Sequence, residues 1–575
     1  MVMAAVPAAS TISVRATLDM LDGPFSAMAE GISQDLYALW LGSGISFGRV
    51  PGLQQVVKRV LQFLQRQIVP GDPDCRFRKA LSSMLELAKP SPEETARTDM
   101  DRPVEEWPDL LIFTKRLVSD YAHMLEVSVE SEESDFLLWE GVDVPGTYAN
   151  PSTTPDAEHL CIALLVAEGV ASDIASANWD GLVEKAVSEL GNGATLTVIV
   201  RPEDTRGVQA RSRLYKFHGC AVRAKDDAPN YRNKLVARHQ QINRWASAPE
   251  NAIIVNRLIQ LATSKRTLMI GLSVQDGNIQ GVFATAEAQM KWPWPSPDLA
   301  YVFSENELGI DQCGLLQNVY CAANTPVNKN AIYQEALFKA YAKPLLIALV
   351  LHILCTKLSA LASNAPGVLN AVGRKEISDG IVALRNVVSE LVEDVGHELF
   401  VRELIAQSER ALSLFRNGRA PAPDSRSYYP LSRETVNTTL SDPNLPALGL
   451  REMGVGVGLV GIGLRTGHWS LRSTDRADTK SGALCLETTA RVAQLFFAAN
   501  SHAVHRLHCN GHLAADDNAV IVHSLEIPPM LPRSPRSALG RTGKMALREV
   551  SITELMGESE DVAALFKRFR EETAL

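Results

Sequence analysis

Cysteine is scarce in this chain of 575 residues. The eight that occur are Cys75, Cys161, Cys220, Cys313, Cys321, Cys355, Cys485 and Cys509, and no two have the C-x-x-C separation of a zinc ribbon or redox pair. Those classes are excluded, and a reducing, cytoplasmic setting is expected. Long unbroken apolar runs are scarce too, and the most hydrophobic one is expected to fall short of the roughly 20 residues a bilayer requires. That stretch, Pro344 to Cys355, contains His352 and is closed by Lys357, so it reads as a buried helix. Met1 to Ser13 is apolar but has no charged region ahead of it, and Arg15 comes only afterwards; no export signal is read. Net cationic charge is missing as well. The 57 basic against 66 acidic side chains leave a charge of -9, so there is no global footprint for a polyanion, and any nucleic-acid contact is local or belongs to a partner. Finally, Leu117 to Glu184 holds 14 acidic residues and neither Lys nor Arg. An anionic ligand bound nearby must therefore be held by backbone amides and helix N-termini.

What is present is enough for folded cores. Charged residues make up 21% and the AVILMFWYC group 46%, which excludes disorder as the dominant state, and the length corresponds to between two and four domains of about 150 residues. The apolar run Leu36 to Leu41 reads as a buried strand, followed by GSGIS and a helical pattern from Leu53. Further short strands are expected at Asp173 to Ala177, Thr195 to Val200, Leu214 to Phe217 and Thr267 to Gly271, separated by helical segments. That alternation predicts an α/β, Rossmann-like, mainly parallel sheet. A proline-broken helical insertion, residues 63–158, interrupts it and is expected to layer over the sheet edge. The expected organisation is a nucleotide-binding domain over 1–345, a helical segment over 346–415, a proline-rich exposed linker over 416–450 and a mixed α+β domain over 451–575. The last is expected to close with a helix near Asp561 to Glu572.

Four short motifs bear on chemistry. In GSGIS, Gly42 and Gly44 either serve a tight turn or let backbone approach a pyrophosphate, with Ser43 and Ser46 as hydroxyl donors. In ANWD, Asn178 and Asp180 follow a strand end and form either an Asx turn or a ligand contact at the carboxyl edge. In KFHG, His218 is a neutral imidazole suited to proton transfer, or a satisfied polar residue, and Gly219 leaves space beside it. In GLSVQDGNI, Gly271 and Ser273 sit at a strand terminus with Asp276 and Asn278 in the next turn, suited to a ribose or phosphate or to a plain loop.

In this order the four motifs resemble the sirtuin-like domains of bacterial antiphage systems, over roughly residues 30–345. The resemblance implies NAD bound as substrate across the sheet's carboxyl edge, with no metal. It makes Asn178 and His218 the catalytic pair. Gly42, Ser43, Gly44, Ser46, Asp180, Gly271, Ser273, Asp276 and Asn278 become the dinucleotide contacts. Two departures separate the chain from the protein deacylases of that family: the zinc-binding cysteine pairs are missing, and Pro51 is followed by Gly52, Leu53 and Gln54 rather than an Asp-Phe-Arg run. Trp179 also replaces the usual Ile or Tyr. The expected activity is NAD hydrolysis by a gated antiphage effector, with a non-catalytic NAD or ADP-ribose sensor and a deacylase as alternatives. Expected partners are further copies of the chain and a HerA-type ATPase, a short Argonaute or a phage-derived activator; no membrane is implied.

Three other features read as structural. His502, His505, His508, Cys509 and His512 crowd one stretch without an evident ligand set. Gly454 to Gly463, GVGVGLVGIG, contains a G-x-G-x-x-G match but alternates Gly with apolar residues, which predicts a close-packed strand. Pro528 to Arg548 carries Arg533, Arg536, Arg541, Lys544 and Arg548 without an acid, reading as a solvated loop or a contact to nucleic acid or an acidic partner surface.

Overall fold

A computed structural model describes residues 8–575 apart from 192–194, 208, 297–298, 366–368, 423–424, 442, 444–447, 476–477, 479, 514–517 and 525–547. The expected strands form as β1 Tyr37–Leu41, β2 Asp173–Ser176, β3 Leu196–Ile199, β4 Ser212–Lys216 and β5 Arg266–Ile270. Two short strands join them, β6 Tyr301–Ser304 and β7 Leu337–Phe338, giving seven strands in the order β3-β4-β2-β1-β5-β6-β7 with every pairing parallel. Side chains alternate between two apolar layers, as period-two geometry requires. Leu39, Leu41, Ile174, Leu214, Leu268 and Ile270 face one core, while Trp40, Tyr215, Met269 and Phe303 face the other.

Helices cover both faces. The insertion is helical, with Leu53–Arg66, Arg76–Leu87 and Leu110–Val118 packed around Val57, Leu61, Leu81 and Phe113. The apolar run beyond residue 342 is the helix Ala342–Ser363, long and apolar enough to cross a membrane yet mostly buried in the fold. Its Leu345, Leu349 and Ile353 lie in the same core as Leu39 and Ile174, so apolar packing continues across residue 345. Its Lys357 is fully buried and ion-paired to Glu168 at 2.7 Å. Two more long helices follow, Ala371–Val395 and His397–Asn417.

Segment 416–450 is not the wholly exposed connection its prolines suggest. Tyr428 is buried and its hydroxyl donates to Glu168 at 2.6 Å; the Leu431 amide donates to the same carboxylate, and Lys357 donates to the Ser432 carbonyl. Composition reports the turns of such a strap, not the buried acceptor that pins it.

The C-terminal region is a second sheet, ordered β12-β11-β10-β9-β8. Its strands are β8 Ser470–Arg472, β9 Leu484–Glu487, β10 Val492–Ala498, β11 Ala519–His523 and β12 Arg548–Ser551, with the last three parallel. The closing helix is Val562–Thr573. The glycine-rich run is not a strand: residues Leu450–Arg465 form a buried helix. Gly458 and Gly461 lie where the helix Ala371–Val395 crosses, and a Cβ added at Gly461 would sit 1.8 Å from the Gly380 carbonyl oxygen. Small residues three and four apart let two helix backbones touch, which outweighs the low helix propensity of glycine. Apart from Arg548, the basic residues of Pro528 to Arg548 lie outside the described residues.

This crossing separates two kinds of helical glycine. Gly461→Ala should lower the urea midpoint, with a loss of about 1–3 kcal/mol from overpacking. Gly281, exposed in the helix Gly277–Gln289 with open space around it, should instead tolerate Gly281→Ala with a gain of about 0.5–1 kcal/mol. Equal and opposite assignment of the two shifts would contradict the packing described.

Candidate active site at the carboxyl edge of the sheet

Register brings the four motifs into one row. Leu41 pairs with both Ser176 and Ile270, and Ser176 pairs with Lys216, so β1, β2, β5 and β4 end level with one another. Neighbouring strands lie about 4.8 Å apart. Asn178 and His218 therefore occupy the same position, two residues beyond the ends of adjacent strands. Connections leave β1 toward β2 on one side and β5 occupies the other, which makes this the topological switch point where open parallel sheets bind ligands.

The first loop packs directly against the loop after β5. The Gly42 amide donates to the Ile270 carbonyl at 3.0 Å and the Gly44 amide to Gly271 at 3.1 Å. A Cβ at Gly42 would lie 2.2 Å from the Gly271 carbonyl oxygen. The missing side chains thus let two loops meet. Gly271 adopts φ +61°, and buried Val274 is held at φ +60°, which costs a β-branched residue local strain of about 1–3 kcal/mol. Ser43 and Gly44 are exposed at the rim, as is Ser273.

Asn178 is buried, and its side-chain Nδ2 donates to the Gly42 carbonyl at 3.0 Å while its own amide donates to Ser176 Oγ. That anchors the carboxamide and leaves its side-chain oxygen and second Nδ2 proton for other partners. His218 Nε2 lies 3.1 Å from an Asp276 carboxylate oxygen. Burial works against the charge of Asp276, but His218 and the Asn278 amide hold its carboxyl below the usual range. Asp276 also caps the helix Gly277–Gln289 through the Asn278 amide at 2.7 Å. Asn278 is buried, and its Nδ2 has no hydrogen-bond partner among the described residues. Gly219 does not leave space beside the imidazole: it takes φ +98°, and a Cβ there would meet the Lys234 carbonyl oxygen at 2.6 Å. The backbone of Lys234 and Leu235 fills that volume.

Ser46 and Asp180 belong to a buried chain whose central member, His159, has no place in the sequence motifs. The Asp156 amide donates to His159 Nδ1 at 3.2 Å, which fixes the ring proton on Nε2. Nε2 then donates to Ser46 Oγ at 3.1 Å, and Ser46 donates to Asp180 Oδ2 at 3.0 Å. Burial pushes the His159 pKa down and keeps the ring neutral. The Ser46 hydroxyl is thereby spent on Asp180. Lys216 is likewise fully buried, donating to Glu184 at 2.9 Å and to the Asp180 carbonyl. Burial opposes its charge, yet Cys220, Glu184 and Asp180 hold it protonated above the usual lysine value. A cavity of about 620 Å³ opens beside Asp180 and Val50, walled by Tyr148, Leu182, Glu184 and Val222. Burial pushes the Tyr148 hydroxyl up to about 12, and its ring meets Trp179 edge-on with centroids 5.4 Å apart, so Trp179 packs against the insertion. Tyr121, also from the insertion, is half-buried within reach of the Asp276 charge.

No group of three or more His, Cys, Asp or Glu suited to a metal ion occurs among the described residues. In the histidine-rich stretch, His505 Nε2 lies 3.4 Å from Cys509 Sγ and His508 pairs with Glu549 at 3.0 Å.

Residues 172–319 match the family model of the SIR2-like domain, so this chain carries a sirtuin-like domain. The match contains Asn178, Asp180, His218 and the 271–278 loop and lies beyond Gly42–Ser46. Such a domain fits an NAD-dependent activity. No curated protein matches the chain.

Glu158 and Asp156, flanking the buried chain, titrate in opposite directions. Arg49 and Lys343 outweigh the opposing effect of burial and hold the Asp156 carboxyl down, at about 2. Burial pushes Glu158 up to about 7. An acid raised in the fold keeps its proton between 4.5 and 7 while the unfolded chain releases it, so stability is lost as pH rises through that window. Glu158→Gln should match the wild type near pH 4.5 and exceed it above pH 7 by up to about 3 kcal/mol in urea melts. A difference that does not grow with pH would refute the buried, neutral carboxyl.

Proposed function

We propose that the protein cleaves the glycosidic bond of NAD to release nicotinamide and ADP-ribose. The observation that supports this best is the register that sets Asn178 and His218 side by side beyond adjacent strand ends, each tied to a loop of the same crevice. Loss of nicotinamide leaves positive charge on the ribose, and the departing ring is already a good leaving group; orientation then supplies much of the rate. With its Nδ2 held by Gly42, Asn178 offers its side-chain oxygen to align a water or ribose hydroxyl at the anomeric carbon. His218, whose Nε2 lies 3.1 Å from the Asp276 carboxylate, supplies the imidazole that accepts a proton from the attacking water or a ribose hydroxyl. Exposed Ser43 and Gly44, the Gly271–Ser273 rim and Asn278 line the dinucleotide's path. The resemblance to antiphage sirtuin-like domains further supports a cytoplasmic effector that stays quiet until further copies of the chain, or a HerA-type ATPase, short Argonaute or phage-derived activator, engage it.

Asn178→Ala and His218→Ala should each reduce NAD loss at least 100-fold, and Asp276→Asn about 10–100-fold, with melting temperatures close to wild type. Incubating the purified chain with NAD alone, with and without its genomic neighbour's product, separates the alternatives. A hydrolase consumes NAD, a deacylase requires an acylated peptide, and a sensor binds NAD without turnover. Unchanged turnover in either alanine variant refutes the assignment.

A further inference from the structure

The turn that carries Gly42–Ser46 continues into Phe47, Gly48 and Arg49, and the Arg49 amide folds back onto the Ser46 carbonyl at 3.0 Å. Arg49 then leaves the sheet domain's own loops. Its Nε donates to Asp156 at 3.2 Å and a terminal nitrogen donates to Glu398. Asp156 is also paired to Lys343 at 2.9 Å, and it supplies the amide that orients His159 toward Ser46. Glu398 belongs to the first turn of the helix His397–Asn417, where Arg402 holds its other oxygen at 3.0 Å and also donates to the Pro155 carbonyl at 3.0 Å.

The far end of the same helix is fastened to the C-terminal sheet. Arg410 is buried and donates to the carbonyls of Asp478 and Ser481, and the Phe415 carbonyl accepts from the Ala499 amide just beyond β10. One rigid helix therefore touches the loop of the candidate site at its first turn and the second sheet at its last. A helix of this kind transmits a displacement along its axis, because its backbone bonds do not stretch.

We propose that Arg49 is a positioning residue for the NAD turn and that its contact with Glu398 is the link through which the C-terminal sheet sets the order of that turn. The inference rests on the NAD reading above for its consequence in turnover, though not for the link itself. Within this arrangement Asp156 alone cannot fix Arg49, since it is shared with Lys343; Glu398 supplies the second half of the guanidinium's fork. Loss of Glu398 leaves Arg49 with Asp156 and the more distant Thr154 hydroxyl, and leaves the buried His159 chain in place, while loosening the stretch of residues 43–50 that Arg49 holds beyond Ser46.

The test compares wild type with Glu398→Gln, Arg49→Ala, Arg49→Lys and the double variant Arg49→Ala/Glu398→Gln. Lys375→Ala, which removes an exposed ion pair with Asp379 elsewhere on the helical segment, is the charge control. Hydrogen–deuterium exchange of amides 43–50 is followed without ligand. For Glu398→Gln the expected result is exchange at least about fivefold faster over 43–50, with melting temperature within about 2 °C of wild type. In turnover, KM for NAD should rise about fivefold or more with kcat within about twofold, Arg49→Lys falling between wild type and Arg49→Ala. The double variant should be no worse than Arg49→Ala within about twofold, as two ends of one contact require. Unchanged exchange over 43–50 in Glu398→Gln, or an equal change in Lys375→Ala, overturns the link. If the wild type neither binds nor consumes NAD, the NAD reading fails by itself, and the exchange result still decides the link.

Discussion

The parallel pairing that ends β1, β2, β4 and β5 level is the constraint on which the site depends. Register in a buried parallel sheet is set by which side chains enter each core, and a slip of one residue would exchange Leu39 and Leu41 with Trp40 between layers of different depth. Because that exchange is prohibitive, the residues just past the strand ends inherit fixed positions. Asn178 and His218 are neighbours because Ser176 and Lys216 are partners. The loops add only local corrections: Gly42 against Gly271, and Asp276 against His218.

Polar burial around this row is extensive and mostly consumed internally. Ser46, His159 and Asp180 form a closed chain, and Lys216 with Glu184 forms another beneath the 178–180 segment. Networks of this kind fix geometry at a desolvation cost, and their partial disruption is more harmful than their absence. They orient the peptide carrying Asn178 from below while the side chains themselves remain out of solvent. What is left at the rim, namely Ser43, Ser273 and the oxygen of Asn178, is the part of the constellation with capacity to meet a ligand.

Much of this was legible because the signals were local. A continuous apolar run ending at Gly42 marked β1, short strand patterns marked β2, β3, β4 and β5, and the residues following β1, β2, β4 and β5 marked the site. β7 was not legible, since a two-residue pairing carries no periodicity. His159 was hidden for another reason. It lies three residues past a helix-capping Asp, within an acidic segment, and only tertiary packing aims its ring at Ser46. A histidine at that position after an Asp cap was the available hint. In the glycine-rich run, alternation at every second residue imitated a strand. Gly454, Gly458 and Gly461 nevertheless also repeat at helical spacing, and it is that face which meets Leu358, Ile377 and Gly380.

The acid-rich stretch from Leu117 to Glu184 shows why charge must be counted in space. It carries no cation of its own, yet Asp135 is met by Arg232, Asp156 by Arg49 and Lys343, Glu168 by Lys357, Asp173 by Lys265 and Glu184 by Lys216. The segment thus works as an acceptor surface that gathers cations from both flanks of the chain and ties the insertion, the sheet and the helical segment together. For the crevice, the consequence is that these cations are spent on carboxylates and carbonyls before a ligand arrives. An anion reaching the crevice would find these cations already engaged. The basic residues are near, but each is committed to holding the fold.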